Sequence, residues 1–129
     1  MKGFAGKVCV VTGAGSGIGQ ALAVALGRSG AKLAISDVDT EGLAVTEQRL
    51  RAMGVEVKAD RLDVTEREAF LLYADEVKEH FGKVNQIYNN AGIAHTGDIE
   101  ICEFKDIERV IDVDFWGVVN GTKPFLPHL

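Results

Sequence analysis

The chain alternates between short apolar segments and longer segments of helical periodicity, and this alternation constrains its fold more than any other feature. Strand-like apolar runs occur at residues 7–12, 31–36, 55–59 and 84–88. Helical spacing of apolar residues, bounded by glycine or capping residues, occurs at residues 18–28, 39–53, 65–82 and 103–125. Repeated strand–helix alternation predicts a mostly parallel sheet covered by helices and connected by right-handed crossovers.

Composition limits the class of protein. The chain has 129 residues, of which 47% are hydrophobic and 26% charged, so we expect one domain with a real core rather than a disordered chain. A net charge of −5 without a basic cluster argues against nucleic-acid binding. No apolar run reaches the roughly 18 residues of a membrane span, and residues 1–7 do not resemble a signal peptide. Cys9 and Cys102 lie far apart and no secretory signal precedes them, so we expect no disulfide and a cytoplasmic protein. Because Cys9 lies within an apolar run, we expect it to be buried.

A glycine-rich loop joins the first predicted strand to the first predicted helix. It comprises Thr12, Gly13, Ala14, Gly15, Ser16, Gly17, Ile18 and Gly19. Glycines permit a tight turn and let a phosphate approach bare backbone, and the helix start offers unpaired N–H groups to an anion. The spacing Gly-x-x-x-Gly-x-Gly is neither a P-loop nor Gly-x-Gly-x-x-Gly. The loop predicts a phosphate site, and the alternative is a glycine-rich turn that binds nothing.

Thr12 followed by Gly-x-x-x-Gly-x-Gly at this place resembles the cofactor loop of short-chain dehydrogenases/reductases. Three further segments match that family in order: Asp37 ends the second strand, Leu-Asp-Val at 62–64 follows the third, and Asn-Asn-Ala-Gly at 89–92 follows the fourth. The match covers nearly the whole chain. It implies a Rossmann-like, doubly wound α/β fold of three layers, with strand order 3-2-1-4 and an NAD(P)-binding domain over residues 1–129. It also implies an oxidoreductase that transfers hydride to or from an alcohol or carbonyl compound.

Asp37 bears on the choice of cofactor. It lies 24 residues past Gly13, close to the roughly 20 expected of an acid that binds a cofactor ribose. Its carboxylate can accept from the 2′- and 3′-hydroxyls of NAD and would repel the 2′-phosphate of NADP. Because neither the glycine loop nor the residues just after Asp37 include Arg or Lys, we predict NAD rather than NADP. The alternative is an acid that forms a turn or caps a helix.

The resemblance also assigns cofactor contacts after the third and fourth strands. Asp63, next to Val64, matches the family's adenine contact, although it could instead be a loop acid near a helix start. Asn90 resembles the family residue beside the adenosine ribose. Ala91 and Gly92 would let the cofactor approach the backbone closely.

Two other side chains near the fourth strand are given different roles. We expect Asn89 to tie neighbouring strands together, and His95 to be a loop histidine rather than a catalytic residue. The sequence predicts no metal site.

The last predicted helix carries an acid among apolar residues. A stripe at helical spacing comprises Ile107, Val110, Ile111, Asp114 and Val118. Apolar surface on other faces comes from Phe115, Trp116 and Val119. We expect one side to face the sheet and another to face a neighbouring subunit, since the resemblance implies a homo-oligomer. Asp114 matches the position of the asparagine that organises the family's proton-relay water. An amide both donates and accepts hydrogen bonds, whereas an ionised carboxylate only accepts them. The alternative role of Asp114 is a paired or partly solvated core acid.

The family's catalytic Ser and Tyr-x-x-x-Lys pair have no counterpart in these residues. Val77 stands four residues after Tyr73, and Gly92 stands four residues after Tyr88. Hydride transfer to a carbonyl needs a group that protonates the developing alkoxide. We therefore interpret the chain as a truncated piece of an NAD-dependent dehydrogenase, inactive alone, whose full-length form acts on a small alcohol or ketone. The alternatives are a dinucleotide-binding or interaction module without catalysis, and a truncated chain that misfolds.

Overall fold

A sheet of four parallel strands, with helices on both faces, forms the body of the protein in a computed structural model that describes residues 3–94 and 97–129. The strands are β1 (Val8–Thr12), β2 (Lys32–Asp37), β3 (Val57–Arg61) and β4 (Gln86–Tyr88). The first three helices are α1 (Gly17–Arg28), α2 (Thr40–Ala52) and α3 (Arg67–Phe81). The strand order is β3-β2-β1-β4, so the predicted three-layer, Rossmann-like topology is confirmed.

The final helical stretch is less regular than predicted. It consists of α4 (Phe104–Ile111), a π-helical segment (Asp112–Trp116) and α5 (Gly117–Phe125), followed by a 3₁₀ turn (Leu126–His128). The sequence predicts one uninterrupted helix over 103–125, and the π-helical segment corrects this. Such segments insert one residue into a helix and change which side chains face the core beyond it.

Strand alternation divides the core between the two faces of the sheet. On β1, Cys9 and Val11 pack under α1 and α2, whereas Val10 packs on the opposite face under α3 and α5. On that opposite face the rings of Phe70, Tyr73 and Phe125 meet edge to face, with centroids 6.1–6.3 Å apart. Burial of Cys9 is confirmed, and burial raises the pKa of its thiol to about 11.

The buried face of the last helical stretch differs from the predicted stripe. Its fully buried positions are Val113, Gly117, Asn120, Gly121 and Phe125. Ile111 and Val118 of the predicted stripe are 48% and 39% exposed, and Asp114 is also exposed. The prediction of a buried Asp114 stripe is therefore wrong.

Two glycines explain how closely α5 packs against α3 and the segments that follow β3 and β4. A Cβ placed on Gly117 would lie 2.6 Å from the Val64 Cγ2 atom. A Cβ on Gly121 would overlap the Asn89 side-chain oxygen and lie 3.0 Å from Phe70. The backbone of the helix therefore comes into close contact with its neighbours along the face that carries its smallest residues. Small residues thus indicate the buried face better than the apolar stripe does. In the part of the chain that the structure describes, no helix is both long and apolar enough to cross a membrane.

Candidate functional site

A cleft of about 370 Å³ opens beyond the carboxyl ends of β1 and β4. The strand order reverses between these two strands, which is where ligands bind in open α/β sheets. Its lining comprises Gly13, Ser16, Gly17, Ile18, Asp37, Val38, Leu62, Asp63, Val64, Asn90, Ala91, Gly92, Ile93, Arg109 and Val113. Most predicted site residues thus meet in one place. The predicted residues Thr12, Gly15, Gly19 and Asp114 are not part of this lining.

The glycine loop owes its shape to three of its glycines. Gly13 and Gly17 have φ of +65° and +54°, a region that other residues rarely adopt. A Cβ on Gly13 would lie 2.8 Å from the Ala91 Cα, and one on Gly19 would overlap the Gly13 carbonyl oxygen. At Gly17, by contrast, a Cβ would meet no described atom within 4 Å. The loop is therefore tightly packed at Gly13 and Gly19. It has open space at Gly17, on the side that lines the cleft.

The start of α1 faces this opening with its N–H groups available. Within the described residues, the side chain of Ser16 at the N-cap makes no capping hydrogen bond, and the first turn holds no acid. The next helix differs, because Asp39 caps α2 by accepting from the Gly42 N–H at 3.1 Å. An N-terminus without its own acceptor attracts an anion through its N–H groups and its dipole.

Thr12 and Asn90 fasten the ends of β1 and β4 together under the cleft. The Thr12 hydroxyl oxygen accepts from the backbone N–H groups of Asn90 and Ala91, both at 3.1 Å. The Asn90 side-chain amide donates to the carbonyls of Thr12 and Gly13, both at 3.2 Å. These four hydrogen bonds hold the glycine loop against the end of β4.

The strand-tying role predicted for Asn89 thus belongs to Asn90, and the prediction for Asn89 is wrong. The Asn89 side-chain amide donates instead to the Thr122 hydroxyl at 3.1 Å, which joins the end of β4 to α5. Neighbouring asparagines at the end of a strand point to opposite faces, so their partners could not be told apart from the sequence.

Asp37 both lines the cleft and supports the glycine loop. One carboxylate oxygen accepts from the Gly15 N–H at 2.8 Å, and the other accepts from the Asp39 N–H at 3.0 Å. The alternative role as a turn former is therefore real. It does not exclude ligand binding, because each carboxylate oxygen can accept more than one hydrogen bond.

Thr46 is a loop-supporting residue that the sequence analysis missed. Its fully buried hydroxyl donates to the Ala14 carbonyl at 2.8 Å and accepts from the Gln20 side-chain amide at 3.0 Å. A signal was present, because Thr46 shares the buried stripe of α2 with Leu43 and Leu50. A hydroxyl on a buried stripe requires a partner, and here the partner is the glycine loop.

Asp63 lies at the far end of the cleft with its two oxygens in different environments. Oδ1 accepts from the Thr65 N–H at 3.0 Å and from the Thr65 hydroxyl at 2.7 Å, just before Glu66, the N-cap residue of α3. Oδ2 lies 3.7 Å from an Nη atom of Arg109. Burial opposes ionisation, but the Thr65 hydrogen bonds and the charges of Arg109 and Arg61 outweigh it and lower the pKa of Asp63. Nothing in the sequence pattern marked Arg109 as part of this site.

Asp114 lies in the π-helical segment, beside the cleft. Its Oδ1 accepts from the Ile93 N–H at 2.9 Å and would lie 3.4 Å from a Cβ on Gly92. The carboxylate is therefore an exposed acid held by a backbone donor, and it joins the segment after β4 to the last helical stretch. His95, which belongs to the same segment, lies outside the described residues.

Neither tyrosine is suited to exchange a proton near neutral pH. Tyr73 is 3% exposed, and burial raises its pKa well above the usual value. Burial, followed by the nearby Cys9, also raises the pKa of Tyr88. A group that protonates an alkoxide works best with a pKa near the working pH. The raised pKa values of both tyrosines lie further from neutral pH.

Comparison with known proteins agrees with this geometry. A family model described as short chain dehydrogenase matches residues 7–129. SadH of Mycobacterium tuberculosis, which carries the name of an oxidoreductase, is 66% identical over 129 residues; the match covers 100% of this chain and 47% of SadH. The chain therefore spans about half the length of this curated relative.

Solved structures show the same arrangement of strands and helices. A short-chain dehydrogenase/reductase from Burkholderia phymatum, in complex with NAD, superposes with a TM-score of 0.95 at 41% identity, covering 100% of this chain and 46% of that one. NAD⁺-bound xylitol dehydrogenase superposes with a TM-score of 0.94 at 35% identity, covering 98% and 49%.

Proposed function

The chain belongs to the short-chain dehydrogenase family, and from this we propose that residues 1–129 are the dinucleotide-binding domain of an NAD-dependent oxidoreductase that interconverts an alcohol and a carbonyl compound. The observation that carries the proposal is the meeting of a helix N-terminus, a glycine opening and a carboxylate in one cleft. The helix N-terminus suits the negative charge of a dinucleotide, and the glycine opening lets the dinucleotide approach the backbone closely. The carboxylate suits the hydroxyls of its ribose.

Different residues of this chain would bind the diphosphate and the ribose of the dinucleotide. The N–H groups around Gly17, with Gly13, Ser16 and Ile18, would hold the diphosphate at the start of α1. Asp37 would accept from the ribose hydroxyls while it holds Gly15 in place. The nicotinamide, when bound, supplies the acceptor or donor of hydride.

The other end of the cleft would hold the base and the adjoining ribose. Asp63 and Val64 line the base end, where Asp63 would accept from an exocyclic amine. Asn90 would lie beside the adenosine ribose, and Ala91 and Gly92 would keep the backbone open to close approach.

Proton transfer needs groups beyond those described above. Asp114 would stand near the substrate as an acceptor of hydrogen bonds, since its Oδ1 already accepts from Ile93. Tyr73 and Tyr88 have raised pKa values and lack a lysine four residues on. Because SadH is about twice as long as this chain, we place the proton-donating serine, tyrosine and lysine in the rest of the whole protein and expect residues 1–129 alone to be inactive. Cys9 and Cys102 are free thiols, and a cytoplasmic location stays a prediction.

Titration of the whole gene product with NAD and NADP tests the proposal. We expect NAD to bind more tightly, and we expect NADH absorbance to rise with at least one member of a panel of secondary alcohols. Equal binding of both nucleotides would contradict the choice of NAD. Binding without turnover across the panel would favour a dinucleotide-binding module without catalysis, and no binding would contradict both.

A second copy of this chain is the proposed partner of the last helical stretch. Phe115 and Trp116 are 57% and 43% exposed, and their rings lie edge to face 5.2 Å apart. Arg67 lies over the Trp116 ring at 5.6 Å, and Leu71 beside them is 48% exposed. An apolar patch of this kind on a helix is typical of an interface.

We expect Trp116→Glu to dissociate the oligomer, because it removes a large aromatic ring from the apolar patch and places a charged carboxylate, beside Arg67, where the partner would exclude water. Light scattering of the whole protein should show a fall in mass to that of one subunit. Val45→Glu is the matched control, since Val45 is 52% exposed on α2, on the other side of the sheet. A Trp116→Glu protein of unchanged mass would refute this interface.

A further inference from the structure

Arg109 holds an unusual position at the base end of the cleft. Among the described residues that line the cleft, it is the only one with a positive charge. Its side chain is 49% exposed and reaches from α4 to Asp63, which follows β3, at 3.7 Å. A half-exposed arginine that spans two separate elements at a cleft is not explained by packing of the core.

The ion pair leaves the guanidinium free to make further contacts. Asp63 directs Oδ1 to Thr65, so Oδ2 is the oxygen that Arg109 approaches. At 3.7 Å this is a loose ion pair rather than a close bidentate one. It restrains the position of the guanidinium, whose side chain is still half exposed.

The surroundings suit a flat aromatic group. Leu62, Val64 and Val113 line the same end of the cleft with apolar side chains. A guanidinium is planar and weakly hydrated, and it stacks on aromatic rings. A purine base between apolar side chains and a guanidinium would be covered on both faces.

We infer that Arg109 is a base-binding residue, whose guanidinium, restrained by Asp63, stacks on the adenine of the dinucleotide and closes the base end of the cleft. The inference rests on the proposed function, because it needs a dinucleotide in this cleft. It adds to that function a contact that Asp63 alone does not provide.

Calorimetric titration of the whole protein with two halves of the cofactor tests this role. ADP-ribose contains the adenine, whereas nicotinamide mononucleotide does not. We expect Arg109→Leu to weaken ADP-ribose binding about fivefold to tenfold and to leave nicotinamide mononucleotide binding within about twofold. Arg109→Lys keeps the positive charge but lacks the planar guanidinium that stacks on a ring. It should therefore also bind ADP-ribose several-fold more weakly than the unmutated protein.

Lys105→Leu is the matched control. Lys105 lies one turn earlier on α4, is highly exposed, pairs with Glu103 at 3.2 Å and does not line the cleft. Its loss removes the same charge from the same helix, and we expect unchanged affinity for both ligands.

Three results would overturn the role of Arg109. These are unchanged ADP-ribose affinity in Arg109→Leu, full affinity in Arg109→Lys, and an equal loss for nicotinamide mononucleotide. Failure of the unmutated protein to bind ADP-ribose is a separate result, which would overturn the proposed function together with this inference.

Discussion

Gly17→Val is expected to reduce NAD affinity by more than about tenfold while the fold survives, since it removes contacts between a charged diphosphate and backbone N–H groups. Gly17 lines the cleft, and a Cβ there would meet no described atom within 4 Å. The valine would therefore project into the space proposed for the diphosphate without colliding with the protein. Calorimetry and thermal unfolding of the whole protein measure the two effects separately.

The expected cost to stability comes from the backbone alone. Gly17 has φ of +54°, and a side chain in this left-handed region costs about 1–2 kcal/mol. Gly54→Val is the control, because Gly54 has φ of +78°, open space around its Cβ position and no place in the cleft. We expect both variants to unfold at similarly lowered temperatures and only Gly17→Val to lose affinity. Equal affinity in the two variants would show that the loop is only structural.

Asp37→Asn is expected to raise NADP affinity relative to NAD by about tenfold to a hundredfold, because it removes a negative charge beside the proposed position of the 2′-phosphate. The asparagine side-chain oxygen can still accept from the Gly15 N–H. In the unmutated protein this N–H donates to the Asp37 carboxylate at 2.8 Å. Its amide group cannot accept from Asp39 as well, so a modest loss of stability should accompany the change. The ratio of the two dissociation constants is the measurement.

Asp39→Asn provides the control for charge. Asp39 is exposed, lies two residues away and does not line the cleft. Asparagine caps helices as well as aspartate does, so the bond to the Gly42 N–H should persist. We expect the preference for NAD to be almost unchanged. A preference that moves equally in both variants would mean that overall charge, rather than Asp37, selects the cofactor.

Much of the candidate site could be predicted because its signals are local. The glycine loop lies between a strand and a helix, and Gly13 and Gly17 adopt the positive φ angles that favour glycine. Asp37 ends β2, Asp63 and Asn90 follow β3 and β4, and the carboxyl ends of parallel strands lie at one edge of a sheet. Once the family resemblance implied the strand order, the convergence of these residues on one cleft followed.

Other parts of the site could not be predicted because they depend on contacts between distant residues. Thr46 and Arg109 act through Ala14 and Asp63, which lie 32 and 46 residues away in the sequence. The sequence around each of these two residues is that of an ordinary helix. Only the packing of the helices shows which distant residue each one contacts. The same holds for Asn90, whose role in joining β1 and β4 was assigned to its neighbour.

The sequence by itself determined the order of strands and helices, the parallel sheet and the phosphate site at the glycine loop, because hydrophobic periodicity and glycine positions act over a few residues; the strand order came from the family resemblance. Only the tertiary structure decided which face of the last helical stretch is buried. The π-helical segment inserts one residue at Asp112–Trp116 and turns the following side chains by about 100° relative to an unbroken helix. Beyond the segment, Gly117 and Gly121 pack against Val64, Asn89 and Phe70, whereas Asp114 and Trp116 within the segment are exposed. A helix that is apolar on several sides has no single stripe to predict, so close packing on the sheet selects its buried face.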